Sequence, residues 1–119
     1  MARFLTVFKP RGAAAPAALI DGLQPVLDAM HAEVDHRTPA HFSALLRGGH
    51  EQLRMQLFAD VQAKAEGPLL ELVLMSREPM GQGAPKTLAV FHQLLDLAAA
   101  RLPDLELRFR SDRDGALPV

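Results

Sequence analysis

Two hydrophobic periods alternate along this chain, and their order limits the fold more tightly than any single motif. Residues 2–9 read as a strand, closed by Lys9-Pro10-Arg11-Gly12. A helix is expected at about 15–35, where Leu19, Leu23, Val26, Leu27, Met30 and Val34 fall on one stripe. Pro25 lies inside that stripe and removes a backbone donor, so a bend or two abutting helices are expected there. Thr38-Pro39 offers an N-cap with proline at the first helical position, and Gly48-Gly49 offers a stop, for a short second helix carrying Phe42, Leu45 and Leu46. From His50 the pattern becomes alternation. Leu53, Met55, Leu57, Ala59 and Val61 share one face, and Gln52, Arg54, Gln56, Asp60 and Gln62 the other. The turn cluster Lys64-Ala65-Glu66-Gly67-Pro68 joins this strand to an almost continuously apolar one from Leu69 to Arg77. After a Gly/Pro-rich loop, Pro85 opens a helix with the stripe Leu88, Phe91, Leu95, Ala98 and Leu102, which Pro103 ends. A last strand follows at 104–110, with Leu105, Leu107 and Phe109 inward and Glu106, Arg108 and Arg110 outward.

The order strand, helix, strand, strand, helix, strand is the split β-α-β pattern of a ferredoxin-like plait, βαββαβ. Its antiparallel sheet would carry the helices on one face, with a short extra helix after the first. The expected layout is one α+β domain over residues 1–110 and a mobile tail at 111–119. A secretion-chaperone-like α+β dimer competes, but the strand ahead of the first helix fits the plait better. At the level of architecture alone the plait resembles small dimeric α+β barrel proteins, among them cofactor-free monooxygenases. The likeness is one of architecture and carries no function with it. A separate alternative is a small-molecule binder or cofactor-free enzyme of the dimeric α+β barrel type, with a pocket between sheet and helices using His31, His92 or Glu71.

Composition narrows the chemistry. With 119 residues there is room for one domain. Thirteen basic residues against fourteen acidic leave a net charge of -1, which disfavours a nucleic-acid partner. The absence of cysteine removes disulfides, thiolate metal sites and thiol nucleophiles. The apolar run at the N-terminus is too short for a membrane span and breaks where a signal peptide would continue, so a cytoplasmic protein without membrane contact is expected. Lysine occurs only at 9, 64 and 86 while arginine and alanine abound, which points to a GC-rich bacterial genome.

The sheet face away from the helices carries the functional expectation. Arg54 and Phe58 from the first hairpin strand, Val73 and Met75 from the second, and Arg108 and Arg110 from the last give an apolar centre with an arginine rim. Contiguous patches of that kind mark interfaces. The expected function is that of a non-enzymatic protein-binding module of the adaptor, secretion-chaperone or immunity type. Its partners would be a second copy of itself, as a homodimer, and another protein. No catalytic residue, metal site or cofactor is assigned. The segment Met80-Gly81-Gln82-Gly83-Ala84-Pro85-Lys86-Thr87 resembles a phosphate loop until Pro85, which lacks the amide hydrogen the motif needs, so Lys86 and Thr87 are at most a weak anion site. His31 and Asp35, and again His92 and Asp96, stand at i, i+4 spacing on expected helices, where exposed side-chain pairs are the simpler reading than a metal site. Glu71, between Leu70 and Leu72, is the one carboxylate with an apolar strand around it, and a cross-sheet pair with an arginine is its simplest role.

Overall fold

A computed structural model describes residues 1–46 and 54–115. The expected stop at Gly48-Gly49, and Gln52 and Leu53 of the expected strand, lie outside the described residues. Strand β1 (Ala2–Pro10) leads into two short helices, α1 (Pro16–Asp21) and α2 (Gln24–Ala29). Four strands follow, β2 (Ala32–Thr38), β3 (His41–Leu46), β4 (Met55–Lys64) and β5 (Gly67–Ser76). A 3-10 turn (Met80–Gln82) precedes the long helix α3 (Pro85–Arg101), then β6 (Leu105–Arg110) and one helical turn, α4 (Ser111–Asp114).

These strands form a single antiparallel sheet in the order β2-β3-β4-β5-β1-β6, which overturns the expected plait. The sheet has six strands because residues 32–46, assigned above to helix, form a β-hairpin that extends it. The stripe ends early: α2 stops at Ala29, Met30 caps it, and His31 takes a positive φ of 54° that turns the chain into β2. Thr38-Pro39, which reads as a helix start, instead borders a tight hairpin turn, with Thr38 registered against His41. Beyond it Phe42, Ala44 and Leu46 are buried in alternation. The break near Pro25 is present as two helices, with Gly22 capping α1 and Pro25 in the first turn of α2.

Helices α1, α2 and α3 cover one face. The main core joins Phe4 and Phe8 of β1, Leu57 and Ala59 of β4, and Leu70, Leu72 and Leu74 of β5 to Ile20, Leu27, Phe91 and Leu94 from the helices. Phe4 and Phe91 stack at a ring-centroid distance of 5.3 Å. At the far edge Arg37 pairs with Asp21, tying β2 to α1. Among the described residues no helix is long and apolar enough to cross a membrane.

A β-bulge re-aims the last strand. Val7 stands opposite Phe109 and Phe8 opposite Leu107, so Arg108 has no partner and the side-chain alternation shifts at that point. Leu107 therefore lies beside Phe8 and Leu95 on the helix side. Phe109 turns to the opposite face, and Arg110 turns back to the helix side beside His92 and Leu95. The expectation of Leu105, Leu107 and Phe109 on one face is thus corrected. Because Phe91 is wholly buried at the centre of the main core, Phe91→Ala is expected to lower unfolding free energy by about 3–5 kcal/mol in a urea titration. A loss below about 1 kcal/mol would contradict the placement of α3 against β1.

Candidate functional site

Cross-strand neighbours share a face, so the register lays out the face opposite the helices in rows. One row is Glu33–Leu45–Gln56–Met75–Arg3 and the next Ser43–Phe58–Val73–Leu5. A third is His41–Asp60–Glu71–Val7–Phe109. Leu5, Val7, Val73 and Phe109 form a second apolar cluster containing no helix residue, with Phe58, Leu69 and Met75 half-buried around it. The four central members are only 5–9% exposed. They form a close mosaic, and the accessible apolar surface belongs to the three surrounding side chains and to the half-buried Leu45.

The sequence-derived interface residues divide between the two faces. Phe58, Val73 and Met75 are together on this face, and Arg54 sits beside Gln56 and Met75 at its end. Arg110 does not belong here, because the bulge places it against α3, and Arg108 is the bulged residue itself. Two further arginines stand at this end with Arg54, namely Arg3, opposite Met75, and Arg77. Sequence reading passed over Arg3, although its alternation with Phe4 in β1 was visible.

Polar groups ring the rest of the face. His41 Nδ1 and Asp60 Oδ1 are 2.8 Å apart, and Ser43 donates to Asp35 at 2.6 Å. Glu71 accepts a hydrogen bond from Gln62 at 3.0 Å in place of the arginine partner expected from sequence. Nothing local in the sequence brings His41 to Asp60. They meet only through the β3–β4 register. His31 and Asp35 share no helix face, since the helix has ended before either. Among the described residues no group of three His, Asp or Glu side chains is placed to hold a metal ion.

The Lys86 and Thr87 amides are already occupied. The Glu78 carboxylate accepts from the Lys86 amide at 3.1 Å, and from the Thr87 amide and hydroxyl at 2.7 Å each. Thr87 Oγ1 also lies 2.6 Å from Ser76 Oγ. A carboxylate of the chain thus fills the N-terminus of α3, the position an external anion would take. Partial burial raises the Glu78 carboxyl, but the Thr87 and Lys86 hydrogen bonds outweigh it and hold it below the ordinary range. Gly83 at φ 82° and Ala84 at φ 46° make the left-handed turn that lets Glu78 reach back across this end.

On the other side of α3, His92 bonds to Asp112 at 3.0 Å, and Arg110 grips the same carboxylate through two nitrogens at 2.8 and 2.7 Å. The Leu5 amide donates to Ser111 Oγ, so a hydroxyl continues the β1 ladder where β6 stops. This cluster locks α4 and the end of β6 onto the helix layer. A separate cavity of about 490 Å³ opens between the β1–α1 connection and the C-terminal end of α3, lined by Ala14, Ala18, Leu19, Arg101, Leu102 and Leu105 among others. His31, His92 and Glu71 are not among its lining residues.

Arg110 hydrogen bonds, opposed by burial and helped by His92, hold the Asp112 carboxyl down to about 2. Since this group is more acidic folded than unfolded, its contribution to stability is present above about pH 4 and is lost as pH falls toward 2. The urea midpoint of the unmodified chain should therefore fall more steeply between about pH 4 and pH 2 than that of Asp112→Asn. Parallel acid limbs would contradict the pairing. No protein-family model, curated protein or solved structure matches the chain.

Proposed function

We propose that this chain is a small non-enzymatic, cytoplasmic binding protein whose working surface is the sheet face opposite its helices, and that what it binds there is protein. The observation that carries this reading is the second apolar cluster. The chain uses its three longer helices on one face, yet Leu5, Val7, Val73 and Phe109 give the other face an apolar centre as well. A sheet face that needed only to meet water would alternate to polar residues at these positions. The half-buried Phe58, Leu69 and Met75 around the centre and the arginines at one end match the composition of protein interfaces, where aromatic, methionine and arginine side chains are enriched.

One observation favours a second reading. The cavity at the end of the helix layer is within the size range of small-ligand pockets, has a mainly aliphatic lining and carries one charge of each sign, Arg101 and Asp104. A small, mainly apolar molecule with a polar end is the ligand class such a lining would accept. Its binding would raise the melting temperature by mass action, whereas the protein-binding reading requires no response to such compounds.

The primary reading is tested with a photo-crosslinking residue in place of Met75, compared with one in place of the exposed Gln93 on α3. Irradiation of purified protein and of extract from its own source should yield protein adducts from position 75 and none from position 93. Equal yields at both positions, or none at 75 in either sample, would overturn the assignment of this face.

A further inference from the structure

Charge is distributed unevenly along the strands of the open face. At one end stand Arg3, Arg54 and Arg77, none of which makes an ion pair with a described residue, and the single carboxylate in the row of Arg3, Glu33, stands three strands away from Met75 at the β2 edge, so this end stays net basic. Four residues beyond the row of Arg3, about 13 Å at ~3.3 Å per residue, Asp60 and Glu71 occupy adjacent positions of one row. Beyond them Lys9 and Glu106 are registered together, so that pair adds no net charge, and Lys64 follows four residues after Asp60 at the end of β4. Between the basic end and the acidic pair lies the row Phe58–Val73–Leu5.

When two such faces pack with their strands aligned, the two-fold axis in the interface runs either parallel to the strands or across them. With the axis parallel to the strands, the basic end of one copy would lie on the basic end of the other. With the axis along the Phe58–Val73–Leu5 row, each basic end would lie over the other copy's Asp60 and Glu71. Like charges brought together across a contact are costly and opposite charges fix its register, so the pattern selects the second direction.

We propose that the occupant of this face is a second copy of the chain, seated about a two-fold axis along the Phe58–Val73–Leu5 row, with Arg3 and Arg54 of each copy against Asp60 and Glu71 of the other. This rests on the assignment of the face as a protein-docking surface and adds its partner. Gln62 and His41, which hydrogen bond to the two carboxylates, hold them on the face for that contact. Because the four central apolar residues are already 5–9% exposed, little of their area is left to bury, and the charged ends carry much of the specificity. The association is accordingly weakened by salt, as exposed ion pairs are screened within about 10 Å at 0.1 M and about 3 Å at 1 M.

Charge reversal tests the arrangement without relying on loss alone. The R3E/R54E variant is acidic at both ends of the face, and the D60K/E71K variant is basic at both. In sedimentation equilibrium at low salt each variant alone should run at monomer mass, and an equimolar mixture at twice that mass, because both contacts of the mixed dimer pair opposite charges. A monomeric mixture of folded variants, or either variant alone dimerising as the unmodified chain does, would overturn the proposal. Folding is checked by far-UV circular dichroism and a cooperative melt. If D60K/E71K does not fold, D60N/E71Q removes the acidic pair and should dissociate the dimer, and a dimer of unchanged strength counts against the proposal. Should the second copy fail while position 75 still crosslinks another protein, the docking surface stands and only its occupant falls. Failure of both removes both.

Discussion

The fold depends on the placement of β1 between β5 and β6. The first strand of the chain pairs with Ser76 through Leu70 on one side and with Arg110 through Leu105 on the other. Both partners are far along the sequence, and their pairing encloses everything between them. Such a strand is an interior strand, and it is apolar in both directions: Phe4 and Phe8 toward the helices, Leu5 and Val7 away from them. Its neighbour β5 is built the same way, with Leu70, Leu72 and Leu74 on one side and Leu69, Val73 and Met75 on the other. Two adjacent strands with no polar face give a sheet that has two apolar surfaces. The helices α1, α2 and α3 cover only one, and the binding reading follows from that imbalance.

Charged groups are used differently on the two sides. Toward the helices, Glu78 closes the N-terminus of α3, and Arg110 and His92 hold Asp112. These carboxylates complete local structure and have their hydrogen-bonding capacity spent within the chain. On the open face Arg3, Arg54 and Arg77 have no such partners among the described residues. The bulge at Arg108 sharpens the division. By shifting the alternation it sends Phe109 into the open-face cluster and draws Arg110 into the polar cluster beside α3.

Much of the fold was legible where the determinants are local. The apolar strands β1 and β5, the alternation of β4, and α3 between Pro85 and Pro103 follow from period and from proline. The common face of Phe58, Val73 and Met75 follows from parity once β4 and β5 pair through a turn. The β2–β3 hairpin was not legible, because Val34 continues the 3.6-residue stripe of Leu27 and Met30 while also fitting a strand. Phe42 and Leu46 are likewise compatible with either period. Only the pairing of β3 with β4 decides between them. The bulges at Asp35 and Arg108 are equally hidden, since each is a mismatch between two strands and has no signature in one. Glu78 and its cap escaped for a related reason: the carboxylate reaches amides eight and nine residues on, across a left-handed turn, outside the short spacing at which capping motifs are recognised.

Covering of the apolar sheet face by another molecule of the same chain, as proposed, would double the mass of the particle in solution. Static light scattering of the unmodified protein, taken over a range of concentrations at low and at high salt, tests it most directly. For a two-fold dimer the mass rises with concentration toward twice the 13.0 kDa of the chain, with its midpoint moving to higher concentration as salt is added. A mass fixed at that of one chain under every condition would contradict it.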